Sequence, residues 1–286
     1  MVVPSESTSV QTARHLAICA DDFGMDPAVD DAIVELARQG RLTATSVLTD
    51  AVAPRDAIDR IAAQPIDLGL HLNLTQVLGS LSSKDVLPLG QLMVRSHLRL
   101  LPEVWIRDHI ERQLDHFEAW FGRSPDYVDG HLHIHQLPQI RDALVNALAR
   151  RDLPAGFWIR DTRPVSLAHA PFSERFKAWV VGHLGMSALA QQAGAHGWSS
   201  NQGFFGVYDF TAAHRPFAQM LKQWLSVAGQ GALLMTHPST GALPGDPIGQ
   251  SRVAEYTELS SEHFGELLVQ QDIKLVRLSQ LMSSLP

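Results

Sequence analysis

Two adjacent carboxylates, Asp21 and Asp22, follow directly on the apolar run Leu16-Ala17-Ile18-Cys19-Ala20. Neighbouring acids are costly to gather without a cation, although an isolated Asp-Asp can also be a solvated turn that caps the next helix. Further along, His71 stands in Gly69-Leu70-His71-Leu72-Asn73-Leu74, where apolar and polar residues alternate. Alone, such a histidine could equally be a hydrogen-bonded core residue. The densest cluster is Asp129-Gly130-His131-Leu132-His133-Ile134-His135. If this stretch is extended, its three histidines project to one face, an array that a metal ion or polyanionic ligand would stabilise. A further histidine, His237, follows Leu233-Leu234-Met235-Thr236 and precedes Pro238. One carboxylate and two imidazoles around a divalent ion leave open positions. A second carboxylate nearby can accept a proton from a water activated there, which is hydrolytic chemistry. Mixed oxygen and nitrogen donors suit Zn²⁺ or a related transition ion, whereas Mg²⁺ usually asks for more oxygens.

All four groups end an apolar run, so the elements that position them are strands. Strands are expected at 15–20, 44–48, 66–74, 127–129, 156–159, 204–207, 232–235 and 273–276. Segments of helical period separate them: a helix with Asp26 as N-cap that stops at Gly40, then 55–63, 102–122, 138–150, 211–228 and 260–270. Residues 81–101 carry Ser, Gly and Pro without a clear period and are expected to form a long loop, a candidate lid. Eight strands alternating with helices predict an α/β fold, an irregular (β/α) barrel. Its active site would lie at the C-terminal ends of the strands, where all four groups fall. The stretch from Arg163 to Ser200 is longer than an ordinary crossover.

The chain has 286 residues, 45% of them hydrophobic, enough for a barrel in one domain over residues 14–286 behind a leader over 1–13. Net charge is −7 and no basic cluster exceeds Arg150-Arg151, which argues against a nucleic-acid partner. The single cysteine, Cys19, excludes an intramolecular disulfide and fits a reducing compartment. The polar start of the chain shows no secretory signal, and no stretch approaches roughly 18 apolar residues, so a cytoplasmic protein is expected. Homo-oligomerisation is left open.

The motifs Ala20-Asp21-Asp22-Phe23-Gly24, Leu42-Thr43-Ala44-Thr45-Ser46, Gly69-Leu70-His71-Leu72-Asn73-Leu74-Thr75, Asp129-Gly130-His131-Leu132-His133-Ile134-His135, Gln202-Gly203-Phe204 and His237-Pro238 together resemble those of the YdjC-like carbohydrate deacetylases. The likeness covers the chain from about Ala17 to Leu278 in the family's order. It implies a barrel of the polysaccharide-deacetylase type in which Asp22, His71 and His131 hold a divalent metal, magnesium by that resemblance. It further implies Asp21 as general base, His237 as general acid, and His133 and His135 as ligand-supporting or substrate-contacting groups. The chain departs from better-known members across Arg163 to Ser200 and at Ser239-Thr240.

The expected reaction is removal of an acetyl group from an N-acetylated amino sugar or oligosaccharide. Arg160 is a candidate contact for a phosphorylated or long sugar, with a solvated loop as the competing reading. Phe204 is a candidate stacking face, though core packing explains it equally well. The alternatives are a metal-dependent phosphoesterase or another amidase on the same ligands, and a non-catalytic sugar-binding protein with a relict site. A relict would be expected to have lost at least one of the five residues.

Overall fold

The computed structural model describes residues 13–165, 172–210 and 216–284. The leader expected over 1–13 falls almost wholly outside them, as does the start of the helix expected from Thr211. In chain order the elements are β1 (Arg14–Phe23), α1 (Pro27–Arg38), β2 (Ala44–Val47), α2 (Arg55–Ala62), β3 (Asp67–Leu72), α3 (Leu89–His97), α4 (Glu103–Phe121), β4 (Tyr127–Gly130) and α5 (Pro138–Leu148). They continue with β5 (Trp158–Ile159), α6 (Phe172–His183), α7 (Met186–Ala195), β6 (Ser199–Ser200), β7 (Phe204–Phe205), α8 (Phe217–Val227), β8 (Ala232–Thr236), α9 (Gly249–Leu259), α10 (Glu262–Gln270), β9 (Ile273–Leu275) and α11 (Leu278–Ser283).

One curled sheet of parallel strands runs β6-β5-β4-β3-β2-β1-β8-β7, and β9 pairs with the N-terminal half of β1. The barrel is therefore irregular, with its seam between β6 and β7. Buried Asn201 straps that seam: its side chain accepts the Asp161 N–H at 2.7 Å and donates to the Asp161 and Gly203 carbonyls, both at 2.9 Å. Pro164 makes one further parallel bridge to Phe204.

β1 is apolar on both faces because both are covered. Leu16, Ile18 and Ala20 join the layer between sheet and helices. Ala17 and Cys19 point the other way, into a second cluster with Ala44, Tyr127, Trp158, Phe204, Leu233 and Met235 that fills the barrel. The first helix starts as its sequence predicts, with the Asp26 side chain accepting the Ala28 N–H at 2.8 Å and Pro27 in the first turn. α4 ends at Gly122, whose φ of 69° is the left-handed cap that glycine favours.

Two expectations are corrected. Residues 81–101 contain α3, which buries Leu92 and Ser96 one turn apart; so narrow a buried stripe leaves no readable period in the sequence. The long segment after β5 supplies a further strand, β6, making nine among the described residues instead of eight, with α6 and α7 before it. Among the described residues, no helix is long and apolar enough to cross a membrane.

Packing inside the barrel depends on one glycine. Gly69 lies opposite Tyr127 in the β3–β4 register, and a Cβ there would fall 2.3 Å from the tyrosine ring. That ring is also stacked on Trp158 at 4.0 Å, so it has no room to retreat. Gly69→Ala is expected to destabilise the protein by about 1–3 kcal/mol through overpacking. Urea unfolding checks this, and a loss below about 0.5 kcal/mol, inside the range of neutral surface changes, would contradict it.

Candidate metal and active site

In a regular strand, neighbouring side chains point to opposite faces, so Asp21 and Asp22 cannot both enter the barrel mouth from an undistorted β1. Asp21 follows Cys19 on the inward face. The pairing with β2 then slips between Ala20 and Phe23, and Asp22 takes a φ of 74°. This bulge turns the second carboxylate toward the same mouth. Such a left-handed conformation at a non-glycine residue is strained, and strain of this kind is kept where the surroundings over-determine it.

Asp22 Oδ1 lies 3.4 Å from His71 Nε2 and 3.2 Å from His131 Nδ1. One ligand atom from each of the three residues falls within 4.8 Å of the others, a group able to hold a metal ion. His71 projects from β3 opposite Asp129 of β4, and its Nδ1–H donates to Asp129 Oδ1 at 2.7 Å. That bond fixes Nδ1 as a donor and leaves Nε2 facing Asp22. Burial opposes charge on His71, but Asp129 and Asp21 outweigh it and pull its pKa up to about 10 in the metal-free protein.

Asp21 is gripped from below by Arg160. Nη1 donates to Oδ2 at 2.7 Å and Nη2 to Oδ1 at 2.6 Å. The same Nη2 lies 2.6 Å from Asp129 Oδ2, which also accepts the Ser46 hydroxyl at 2.7 Å. Burial alone would raise the Asp21 pKa, yet Arg160 and, behind it, His71 hold it well below the ordinary carboxylate value. His237, just past the end of β8, presents Nε2 3.9 Å from Asp21 Oδ2. Its backbone N–H donates to Glu255 of α9, which also accepts the Tyr208 hydroxyl at 2.6 Å. Burial lowers the His237 pKa to about 4, only partly offset by Asp21 and Asp22, so the ring is neutral near pH 7.

The expected one-faced histidine array does not form. Residues His131–Gln136 make a short 3-10 turn with Leu132 and His133 at φ of 54° and 61°. Gly130 leads into this turn with no space for a side chain, since a Cβ would meet the His135 backbone nitrogen at 2.9 Å. The three rings consequently part company. His131 reaches Asp22, His133 packs edge-on against Phe204 at 5.7 Å, and His135 is fully buried with Nε2 3.1 Å from the Arg160 carbonyl. His135 therefore supports Arg160 and has no surface to offer a sugar. The Arg160 side chain is itself fully buried among Asp21, Asp129 and Cys19, where it balances the charge of the two acids. Phe204 is 2% exposed and lies under Arg160, its ring centroid 5.8 Å from the guanidinium carbon, as part of the barrel core.

Residues 15–270 match the profile of the family described as YdjC-like protein. The chain belongs to the YdjC-like family. Among its relatives, this YdjC-like chain is 30% identical to a carbohydrate deacetylase of Mus musculus, in a match that covers 64% of the chain and 69% of the relative. It is 27% identical to a carbohydrate deacetylase of Homo sapiens, covering 95% of the chain and 92% of the relative. The crystal structure of an Enterococcus faecalis protein described as a cellobiose-phosphate cleavage protein shares the YdjC-like chain's fold. Its TM-score is 0.64 at 20% identity, over 94% of this chain and 99% of that one.

Sequence reasoning passed over several residues that complete the YdjC-like site. Asp129 was visible beside the histidines, but its partnership with His71 needs the β3–β4 register. Arg252 and Glu255 sit on α9, which carries no motif, and reach the site only through the fold.

A pH-dependence follows from His135, whose pKa burial lowers from 6.5 to about 4. A group held neutral in the fold contributes stability that is complete above pH 6.5 and is lost as pH falls through 4. In metal-free protein, His135→Gln is therefore expected to gain stability relative to wild type across that window. Urea midpoints measured at pH 7, 5.5 and 4 check this, and a constant difference would refute it.

Proposed function

We propose that the protein removes an acetyl group from an N-acetylated amino sugar by divalent-metal-assisted hydrolysis, using one barrel spanning residues 14–286. The observation that carries this reading is the convergence of Asp22, His71 and His131 beside the Asp21–His237 pair. It occurs in a chain whose mouse and human relatives are named carbohydrate deacetylases. The donor set fits a divalent ion: one carboxylate oxygen and two imidazole nitrogens, with the His71 tautomer set by Asp129. The nitrogen donors favour Zn²⁺ or another transition ion, and the family resemblance favours Mg²⁺. A bound ion would supply Lewis acidity toward the amide carbonyl and toward water.

The protein's own groups then divide the proton transfers. Asp21, kept ionised and oriented by Arg160, takes the proton of the attacking water. An acceptor held at so low a pKa is weak, and the proton does not rest there. His237 Nε2, 3.9 Å from Oδ2, is neutral and placed to receive it. As the tetrahedral intermediate collapses, the carbon–nitrogen bond breaks and His237 protonates the departing nitrogen, giving acetate and a free amine. His133 lines the same region, held against Phe204, and supports the substrate side of the site. Burial and the Arg160 charge keep this imidazole neutral, so it can accept or donate a hydrogen bond to a sugar hydroxyl.

The test is acetate release from N-acetylglucosamine oligomers by protein stripped of metal and reloaded separately with Mg²⁺, Zn²⁺ and Co²⁺, with phosphate release from phosphosugars as the competing readout. Acetate release that vanishes on chelation and returns on reloading is expected. Asp21→Asn should lose about 10²–10⁴-fold in turnover while keeping its metal. Near-normal turnover in that variant would remove Asp21 as the base. Phosphate release without acetate release would replace the deacetylase reading.

A further inference from the structure

We infer that Arg252 is a positioning residue for the metal-ligating carboxylate: it occupies one oxygen of Asp22 and so presents the other oxygen alone to the ion. The inference rests on the ligand set proposed above.

The two oxygens of Asp22 face different surroundings. Oδ1 points at His131 Nδ1 and His71 Nε2. Oδ2 accepts from Arg252 Nη2 at 2.7 Å. Arg252 is 2% exposed and is itself fixed from behind, its Nε donating to Asp246 Oδ2 at 2.6 Å. Its backbone carbonyl accepts the N–H of Ser239, two residues past His237. The guanidinium is therefore held from behind by Asp246, with Met25 Sδ 3.5 Å from Nη2, while the Arg252 backbone is tied to the chain leaving β8.

This mirrors the treatment of His71, whose nitrogen remote from the cluster is held by Asp129 of the neighbouring strand. In both cases the atom not offered to the ion is tied down, so the offered atom has a defined direction. Asp22 needs such a tie more than most residues. Its backbone sits at a strained φ of 74° beside a bulge, where a free carboxylate could rotate and present both oxygens or neither.

Arg252 also places a positive charge against a cation site, and this gives the inference its test. If Arg252 acted through charge alone, removing it would relieve repulsion and tighten cation binding. If it acts by orienting Asp22, removing it weakens binding, because losing a group that holds a ligand costs about 10–100-fold in metal affinity. The two effects have opposite signs.

The experiment is calorimetric titration of metal-free protein with Zn²⁺, together with the visible absorption spectrum of the Co²⁺-loaded form. Arg252→Met should bind Zn²⁺ about 10–100-fold more weakly. It should also show a changed cobalt spectrum as the Asp22 coordination changes. Arg252→Lys should fall between Met and wild type. Asp246→Asn, which loosens Arg252 without removing it, should shift binding in the same direction by less, and it carries the test if the Met variant does not fold. Unchanged or tighter Zn²⁺ binding with an unchanged cobalt spectrum would overturn the inference. His71→Ala serves as the control: if that variant still binds Zn²⁺ at full affinity, the ligand set itself is wrong and the role of Arg252 falls with it. Because the readout is metal binding, a protein that binds as expected but releases no acetate would overturn the deacetylase reading and leave this inference standing.

Discussion

Three carboxylates, Asp21, Asp22 and Asp129, meet at the mouth of the barrel with no more than 2% exposure each. Burying a carboxylate is expensive unless a partner cation and hydrogen bonds compensate it. The structure answers with two buried arginines from opposite sides. Arg160 lies between Asp21 and Asp129, and Arg252 lies against Asp22. What the arginines leave free is Asp22 Oδ1 between two imidazoles, the position suited to a divalent cation. Charge balance of this kind decides which groups can move protons, because it keeps Asp21 ionised while burial keeps His237 neutral.

The fold delivers that arrangement by combining regular and irregular backbone. Parallel strands align His71 with Asp129 and bring Cys19 and Tyr127 together, their side chains 2.9 Å apart, beneath the site. Regular strands alone cannot place two adjacent acids in one mouth, and the slipped register at Asp22 resolves this. The left-handed turn at Leu132 and His133 does the same for the histidine cluster, sending one ring to Asp22, one to Phe204 and one to the Arg160 carbonyl. Asp22, Leu132 and His133, three of the described non-glycine residues at positive φ, thus lie in the two irregular segments beside the site.

Much of this was legible in the residues. The apolar runs that end in Asp21-Asp22, His71, Asp129-Gly130-His131 and His237 marked four strands and the rim they share, because a buried parallel strand reads as an uninterrupted apolar stretch. Asp26, Pro27 and Gly122 marked helix ends through local capping chemistry. What was not legible depended on distance in the fold. His135 lies two residues beyond His133, and only the turn geometry sends it beneath Arg160. Arg160, read either as a candidate sugar contact or as a solvated loop residue, is buried as the counter-charge to acids 139 and 31 positions earlier in the chain. Arg252 lies 230 residues from Asp22, on a helix with no motif to announce it.

The account turns on Asp22, His71 and His131 forming one metal centre. The most direct test is anomalous diffraction from crystals loaded with Zn²⁺. It should show a single strong peak at about 2.0–2.2 Å from Asp22 Oδ1, His71 Nε2 and His131 Nδ1, with Asp21 outside the coordination sphere. A peak bound by Asp21 or at another cluster, or occupancy that survives His71→Ala, would contradict it.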